Sequence, residues 1–168
     1  MPYGLDSEWN MPISSDEFRS TLSRFACGVT VVTTKDSSGA LFGITVSAFS
    51  SVSLDPPLVL ICIDRTAASH GPLLESGVFA VNLLNAGHSA ISERFASPIE
   101  GKFDGVDFTL GEFGLPLLSG CLANLECRVR NTADGGDHTI FIAEVQTAAV
   151  ADGDPLLYFR GDYRAVGD

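Results

Sequence analysis

The longest unbroken apolar run in the chain, residues 58–63, stops after six residues. A membrane-spanning helix needs about 20. A run this short is the length of a buried strand. Residues 29–34 are β-branched throughout, and residues 41–46 and 79–84 have a similar apolar build. Such side chains pack well on a pleated surface. A polar turn over residues 35–39 joins the first two of these segments into an expected hairpin. From 123 to 130 the alternation is clean, placing Leu125, Cys127 and Val129 inward and Glu126, Arg128 and Arg130 outward. After a turn at 132–137, residues 138–150 read as one long strand, and Pro155 precedes a last β segment ending near Tyr163.

Helices are few and short. Ser14 and Glu17 form an S-x-x-E capping box, with Phe18, Leu22 and Phe25 following at helical spacing and Gly28 placed to end the helix. Ser69 is positioned to cap a helix through Glu75, with Pro72 in its first turn and Gly77 after its end. Asn85 is positioned to cap a helix carrying Ile91 and Phe95, stopped by Pro98. Residues 99–120 are glycine-rich and read as loop with one short strand. Many strands with short helices between them predict a mainly β barrel instead of a layered parallel sheet. Residues 1–13 form an N-terminal arm and residues 14–168 one domain.

Ten basic against twenty-one acidic residues give a net charge of -11, which opposes binding to nucleic acid or an anionic membrane. Charged residues make up 18%, against about 25% in ordinary soluble domains. This fits a surface partly covered by a second copy, and equally a neutral surface rich in Gly and Ser. Cysteines 27, 62, 121 and 127 form no C-x-x-C pair, and with three histidines no metal site is expected. Residues 1–10 carry no signal-peptide pattern, so a reducing cytoplasm is the expected compartment. No strand is followed by G-x-G-x-x-G, and neither a P-loop nor a G-x-S-x-G elbow occurs.

The segment 45–53 concentrates hydroxyls at positions 45, 47, 50, 51 and 53, and Asp55-Pro56-Pro57 follows it. An irregular bend there would offer backbone N–H groups and hydroxyls together, a donor surface suited to flavin carbonyls, ring nitrogens or phosphate oxygens. A polar turn with no ligand accounts for the same residues. Gly136-Asp137-His138 opens the long strand. A histidine there is placed to contact a nicotinamide or bring positive charge to a flavin, or simply to face solvent from a hairpin. His70 and His88 fall at helix starts, and Tyr163 and Phe159 suit ring stacking or packing.

Taken in order, residues 25–34 (FACGVTVVTT), Gly43 to Ser53 with Asp55-Pro56-Pro57, Phe79-Ala80-Val81-Asn82-Leu83-Leu84, Phe95-Ala96, Leu125-Glu126-Cys127 and Gly136-Asp137-His138 make the chain similar to the short-chain flavin reductases, the reductase components of two-component flavin monooxygenases. The likeness runs from about Phe18 to Tyr163. It implies a dimeric split β-barrel with flavin near the subunit interface. It also implies FMN or FAD as hydride acceptor, NADH or NADPH as donor, and delivery of reduced flavin to a monooxygenase partner. A flavin carrier or sensor on the same barrel is the alternative. Carried over by motif, Thr45, Val46, Ser47, Ala48, Ser51, Val52 and Ser53 line the ring and ribityl chain, with Cys62 and Ser69 where the next strand and loop meet the cofactor. Asn82 and Leu83 flank the ring, Phe95, Lys102 and Phe103 reach the phosphate or adenosine end, and Tyr163 is placed to stack. His138 matches the histidine associated with nicotinamide binding. Ala48 stands where many relatives carry Ser or Asn, which removes a side-chain hydrogen bond and leaves the backbone donor.

Overall fold

The computed structural model describes residues 13–166, so only Ile13 of the expected arm over residues 1–13 lies among the described residues. Three helices, α1 (Ser15–Leu22), α2 (His70–Ser76) and α3 (Ser89–Ala96), accompany twelve strands among the described residues. The strands are β1 (Cys27–Gly28), β2 (Thr30–Lys35), β3 (Leu41–Val46), β4 (Phe49–Ser53), β5 (Leu58–Asp64), β6 (Val78–Leu83), β7 (Phe108–Leu110), β8 (Pro116–Leu118), β9 (Ala123–Gly135), β10 (His138–Val150), β11 (Leu157–Phe159) and β12 (Asp162–Arg164). No helix among them is long and apolar enough to cross a membrane.

Seven strands form one antiparallel sheet in the order β3-β2-β6-β9-β10-β5-β4. The two edges of that sheet, β3 and β4, are consecutive in the chain and are joined only by Ser47 and Ala48. The sheet therefore curls until its edges meet at a seam without a ladder, a split barrel. Register shifts in the β9–β10 ladder between Ile142 and Ala143 and between Val145 and Thr147 help it bend. Val32, Ile61, Phe79, Val81 and Phe141 fill the interior, and Leu73 of α2 packs against them. A second cluster, including Val31, Leu84, Phe95, Leu118 and Leu156, covers the outer face of β2 and β6. Burial on both faces is why these two strands read as continuous apolar runs instead of alternating ones.

Several local expectations change. The Ser14–Glu17 capping box is present, but α1 ends at Leu22 and buries no side chain. Phe18, Leu22 and Phe25 stay exposed, and Gly28 belongs to β1 instead of a helix cap. Ser69 precedes α2 without capping it through its side chain. Asn85 does not cap α3, whose N-cap is His88; it bridges to Pro155, and its Oδ1 accepts from the Gly87 amide at 2.7 Å. The hydroxyl-rich segment is two strands broken only at Ser47–Ala48, not one long bend. Region 99–120 holds two short strands, β7 and β8, paired as a hairpin. The turn expected over 132–137 shrinks to Gly136-Asp137, since β9 runs to Gly135 and Gly136 takes the left-handed φ of 78°.

Glu126, expected to face solvent, is 1% exposed. The segment between β7 and β8 folds over it, and its carboxylate accepts from the Glu112 amide at 2.8 Å, the Phe113 amide at 2.9 Å and the Thr147 hydroxyl at 3.1 Å. Gly111 must be glycine for this approach, because a Cβ there would lie 2.5 Å from the carboxylate. Beside it, Arg128 stacks 5.0 Å from the Phe113 ring centre. Removing the acceptor leaves those donors without a partner. Glu126→Ala should therefore lower stability by about 2–4 kcal/mol, read as a reduced urea midpoint at unchanged slope. A midpoint equal to wild type would show that Glu126 does not hold the hairpin down.

Candidate functional site

The seam of the barrel opens into a cleft of about 850 Å³. One wall is β3 from Leu41 to Ile44, the facing wall is the stretch from Asp64 to Ser69 after β5, and residues 95–104 complete it. The β3 wall depends on Gly43. A Cβ there would sit 2.5 Å from Cε1 of Phe95 and 3.2 Å from the Phe103 ring. Without one, the two aromatic rings pack edge-on at 5.1 Å beside the strand backbone. Lys102 clips this arrangement by donating from Nζ to the Gly43 carbonyl at 3.2 Å and the Phe95 carbonyl at 2.9 Å. Burial lowers its pKa from the usual lysine value. An ammonium has three donors, so one is left for a ligand.

On the facing wall, the Thr66 amide and hydroxyl both donate to Asp64 Oδ1 at 2.7 Å. These bonds hold Asp64 below the usual carboxylate range, helped by the charges of His138 and His70. The loop then delivers Ser69, 3% exposed, whose Oγ has no hydrogen-bond partner among the described residues. A buried hydroxyl without a partner is uncommon and points to a missing one. At the end of the seam the carbonyls of Ser47 and Ala48 accept from the Phe49 and Cys62 amides at 3.0 and 3.1 Å. Among the described residues the Ser47 and Ala48 amides themselves have no backbone acceptor. The bend thus keeps its acceptors engaged and presents its donors.

His138 opens β10 directly opposite Asp64, the last residue of β5. Its Nδ1 donates to the Asp137 carboxylate at 2.7 Å, and the side chain is 40% exposed. That bond leaves Nε2 to face the surroundings.

The sequence-predicted residues fall into distinct places. Ser69, Phe95, Lys102 and Phe103 line the large cleft. Ser47 and Leu83 line a smaller neighbouring cavity of about 130 Å³. Ala48, Ser51 and Val52 are exposed and Ser53 half-buried along the β4 edge, with half-buried Cys62 on β5 beside it. The other predicted residues are engaged internally. Thr45 donates to the Ser92 carbonyl at 2.6 Å, and Val46 belongs to the barrel core. Tyr163 donates to Ser92 Oγ at 2.8 Å. Asn82, fully buried, donates to the Val31 carbonyl at 3.0 Å and accepts from the Leu118 amide at 2.8 Å and the Asn124 amide at 2.7 Å.

Sequence reasoning passed over Phe42, Gly43, Asp64 and Thr66, all in the cleft walls. A glycine in the middle of an apolar strand was the available signal for Gly43, because it marks a close approach. The two buried thiols are poor nucleophiles: burial pushes Cys121 up to about 11, and burial with the neighbouring Glu126 charge pushes Cys127 up to about 12.

Residues 22–167 match the family model described as flavin reductase like domain. The reductase subunit HsaB of a flavin-dependent monooxygenase from Rhodococcus jostii (strain RHA1) is 37% identical over 155 residues, covering 92% of this chain and 79% of the relative. The NADH-dependent FMN reductase SmoA of Agrobacterium fabrum (strain C58 / ATCC 33970) is 42% identical over 151 residues, covering 89% and 85%. Among solved structures, the NADH:FAD oxidoreductase SgcE6 of Streptomyces globisporus C-1027, in complex with NAD and FAD fragments, superposes with a TM-score of 0.89 at 40% identity, covering 96% of this chain and 98% of that one. With a matching barrel, a matching family model and relatives alike over most of their length, the chain belongs to the flavin reductase like family.

Proposed function

We propose that this chain is an NAD(P)H:flavin oxidoreductase that reduces FMN or FAD and supplies the reduced flavin to a partner flavin-dependent monooxygenase. The observation that carries the reading is the seam cleft itself, a large, partly aromatic opening lined by the buried Ser69 hydroxyl, which has no partner among the described residues. Flavin is a planar aromatic ring with carbonyls at one end and a phosphate at the other. Ser69 and Lys102 are donors in the cleft lining, and the Ser47 and Ala48 amides lie outside that lining, at the link between the two edge strands. Bound there, it would supply the two-electron chemistry that no side chain in the cleft provides.

The chain's own residues bind and orient. The amides of Ser47 and Ala48 donate toward ring acceptors and favour negative charge there. Ser69 Oγ and the third proton of Lys102 serve the phosphate end, while Phe95 and Phe103 keep that end dry. His138 presents Nε2 beside Asp64 at the mouth and aligns the nicotinamide, with Asp137 fixing its tautomer. Val46 and Asn82 hold the strands behind the seam. Thr45 and Tyr163 support α3 through their hydrogen bonds to Ser92. Four free cysteines among the described residues support a reducing, cytoplasmic setting.

Ser69 has no partner to lose in the flavin-free protein. Ser69→Ala should leave unfolding stability unchanged and weaken flavin binding about tenfold, the value of one hydrogen bond to a charged group. Fluorescence titration giving wild-type affinity would remove Ser69 from the cofactor site.

His138→Ala should leave flavin affinity intact while lowering kcat/KM for NADH roughly tenfold at saturating flavin. Wild-type kinetics would withdraw the nicotinamide assignment. No NADH oxidation by the unaltered protein with either flavin would favour a flavin carrier.

The protein is expected to be a homodimer. Phe18 is 54% exposed and Phe25 75%, and Leu22 lies between them in the chain, an apolar group on α1 and the segment after it that a second copy would cover. Light scattering showing only monomer at micromolar concentration would overturn this.

A further inference from the structure

His138 sits on a hairpin tip that the barrel core does not hold. Residues 130–137 are exposed except where backbone pairs across the β9–β10 ladder, and the turn itself is Gly136-Asp137. The imidazole has one internal bond, to the Asp137 carboxylate, which is itself in solvent. Where that ring points is therefore set by whatever fixes the backbone of the turn.

A single residue outside the hairpin reaches the turn at several points. Arg65 follows β5 immediately, and its amide donates to the Asp137 carbonyl at 3.0 Å. Its Nε donates to the His138 carbonyl at 3.4 Å, and a terminal guanidinium nitrogen pairs with the Asp134 carboxylate on β9. One planar group thus bridges both strands of the hairpin just beside the histidine, a geometry that a lysine's point charge does not reproduce. Arg65 is itself positioned from the cleft side. Its neighbours Asp64 and Thr66 close a tight hydrogen-bonded turn, and both line the cofactor cleft.

We infer that Arg65 is a positioning residue that holds His138 at the mouth of the cleft, so that the loop forming the cofactor wall also sets the nicotinamide side of the site. It does no chemistry. The inference rests on the proposed role of His138. The competing role, direct attraction of the dinucleotide phosphates by the same guanidinium, predicts a different pattern in double variants.

Arg65→Met should lower kcat/KM for NADH about fivefold, less than His138→Ala, because the backbone bond to Asp137 survives and exposed ion pairs are individually weak. Flavin affinity and the unfolding midpoint should stay at wild-type values. Asp134→Asn should move the same parameter in the same direction by a smaller factor, and Arg65→Lys should not restore it. The decisive measurement is Arg65→Met in the His138→Ala background, where positioning predicts no further loss. In the flavin-free protein, the His138 imidazole resonances should shift or broaden in Arg65→Met while those of His88 do not. Wild-type kinetics for Arg65→Met, unmoved His138 resonances, or the full fivefold loss persisting without His138 would each overturn the inference. If His138→Ala alone behaves as wild type, the nicotinamide assignment fails first and the inference falls with it.

Discussion

The length of one connection governs this structure. Laid flat, a seven-stranded sheet would hold its outer strands ~29 Å apart at the usual inter-strand spacing. The link between those outer strands is Ser47 and Ala48, and such a link spans only ~10 Å. The sheet has no alternative to closing on itself. β3 and β4 nevertheless form no ladder with each other, so the barrel closes at the link and gapes beside Leu41–Ile44. The cleft thus lies along the same seam as the link, where among the described residues the amides of Ser47 and Ala48 have no backbone acceptor.

A second consequence is the layering of the central strands. With the barrel interior on one face of β2 and β6 and the covering shell of α3 and the β7–β8 hairpin on the other, neither face meets water. Polar side chains of β2 and β6 trapped between the layers find their partners internally. Thr33 donates to the Pro116 carbonyl, Thr34 to the Val78 carbonyl, and Asn82 ties β2, β6, β8 and β9 together. These bonds tie the β7–β8 hairpin of the shell to the barrel strands.

The strands were legible because their apolar runs and alternation depend on nearby residues alone. Glu126 was misread because a period of two says which side a residue faces, not whether a later segment will cover that side. Phe18 and Leu22 have the spacing of a core-facing helix, yet nothing among the described residues covers them. The hydroxyl-rich segment and Gly136-Asp137-His138 drew attention by composition and order. The sequence could not tell a hydroxyl left without a partner from one bonded within the fold, and so grouped Thr45 and Tyr163 with Ser69. Asp64 and Arg65 carried no signal because their use depends on which strand ends meet across the ladder.

The first strand and the last two meet in one small sheet. β1 pairs with β11, so Cys27 lies opposite Tyr158, a separation of 131 residues. The Val29 amide bonds to the Leu156 carbonyl, and Tyr163 locks α3 through Ser92. On the ribosome, where chains lengthen at about 5–20 residues per second, the early strand waits many seconds for its partner. Throughout that interval α3, which carries the Phe95 wall of the cleft, lacks its final anchor. The strand and the tyrosine that anchor β1 and α3 are therefore made long after the elements they hold in place.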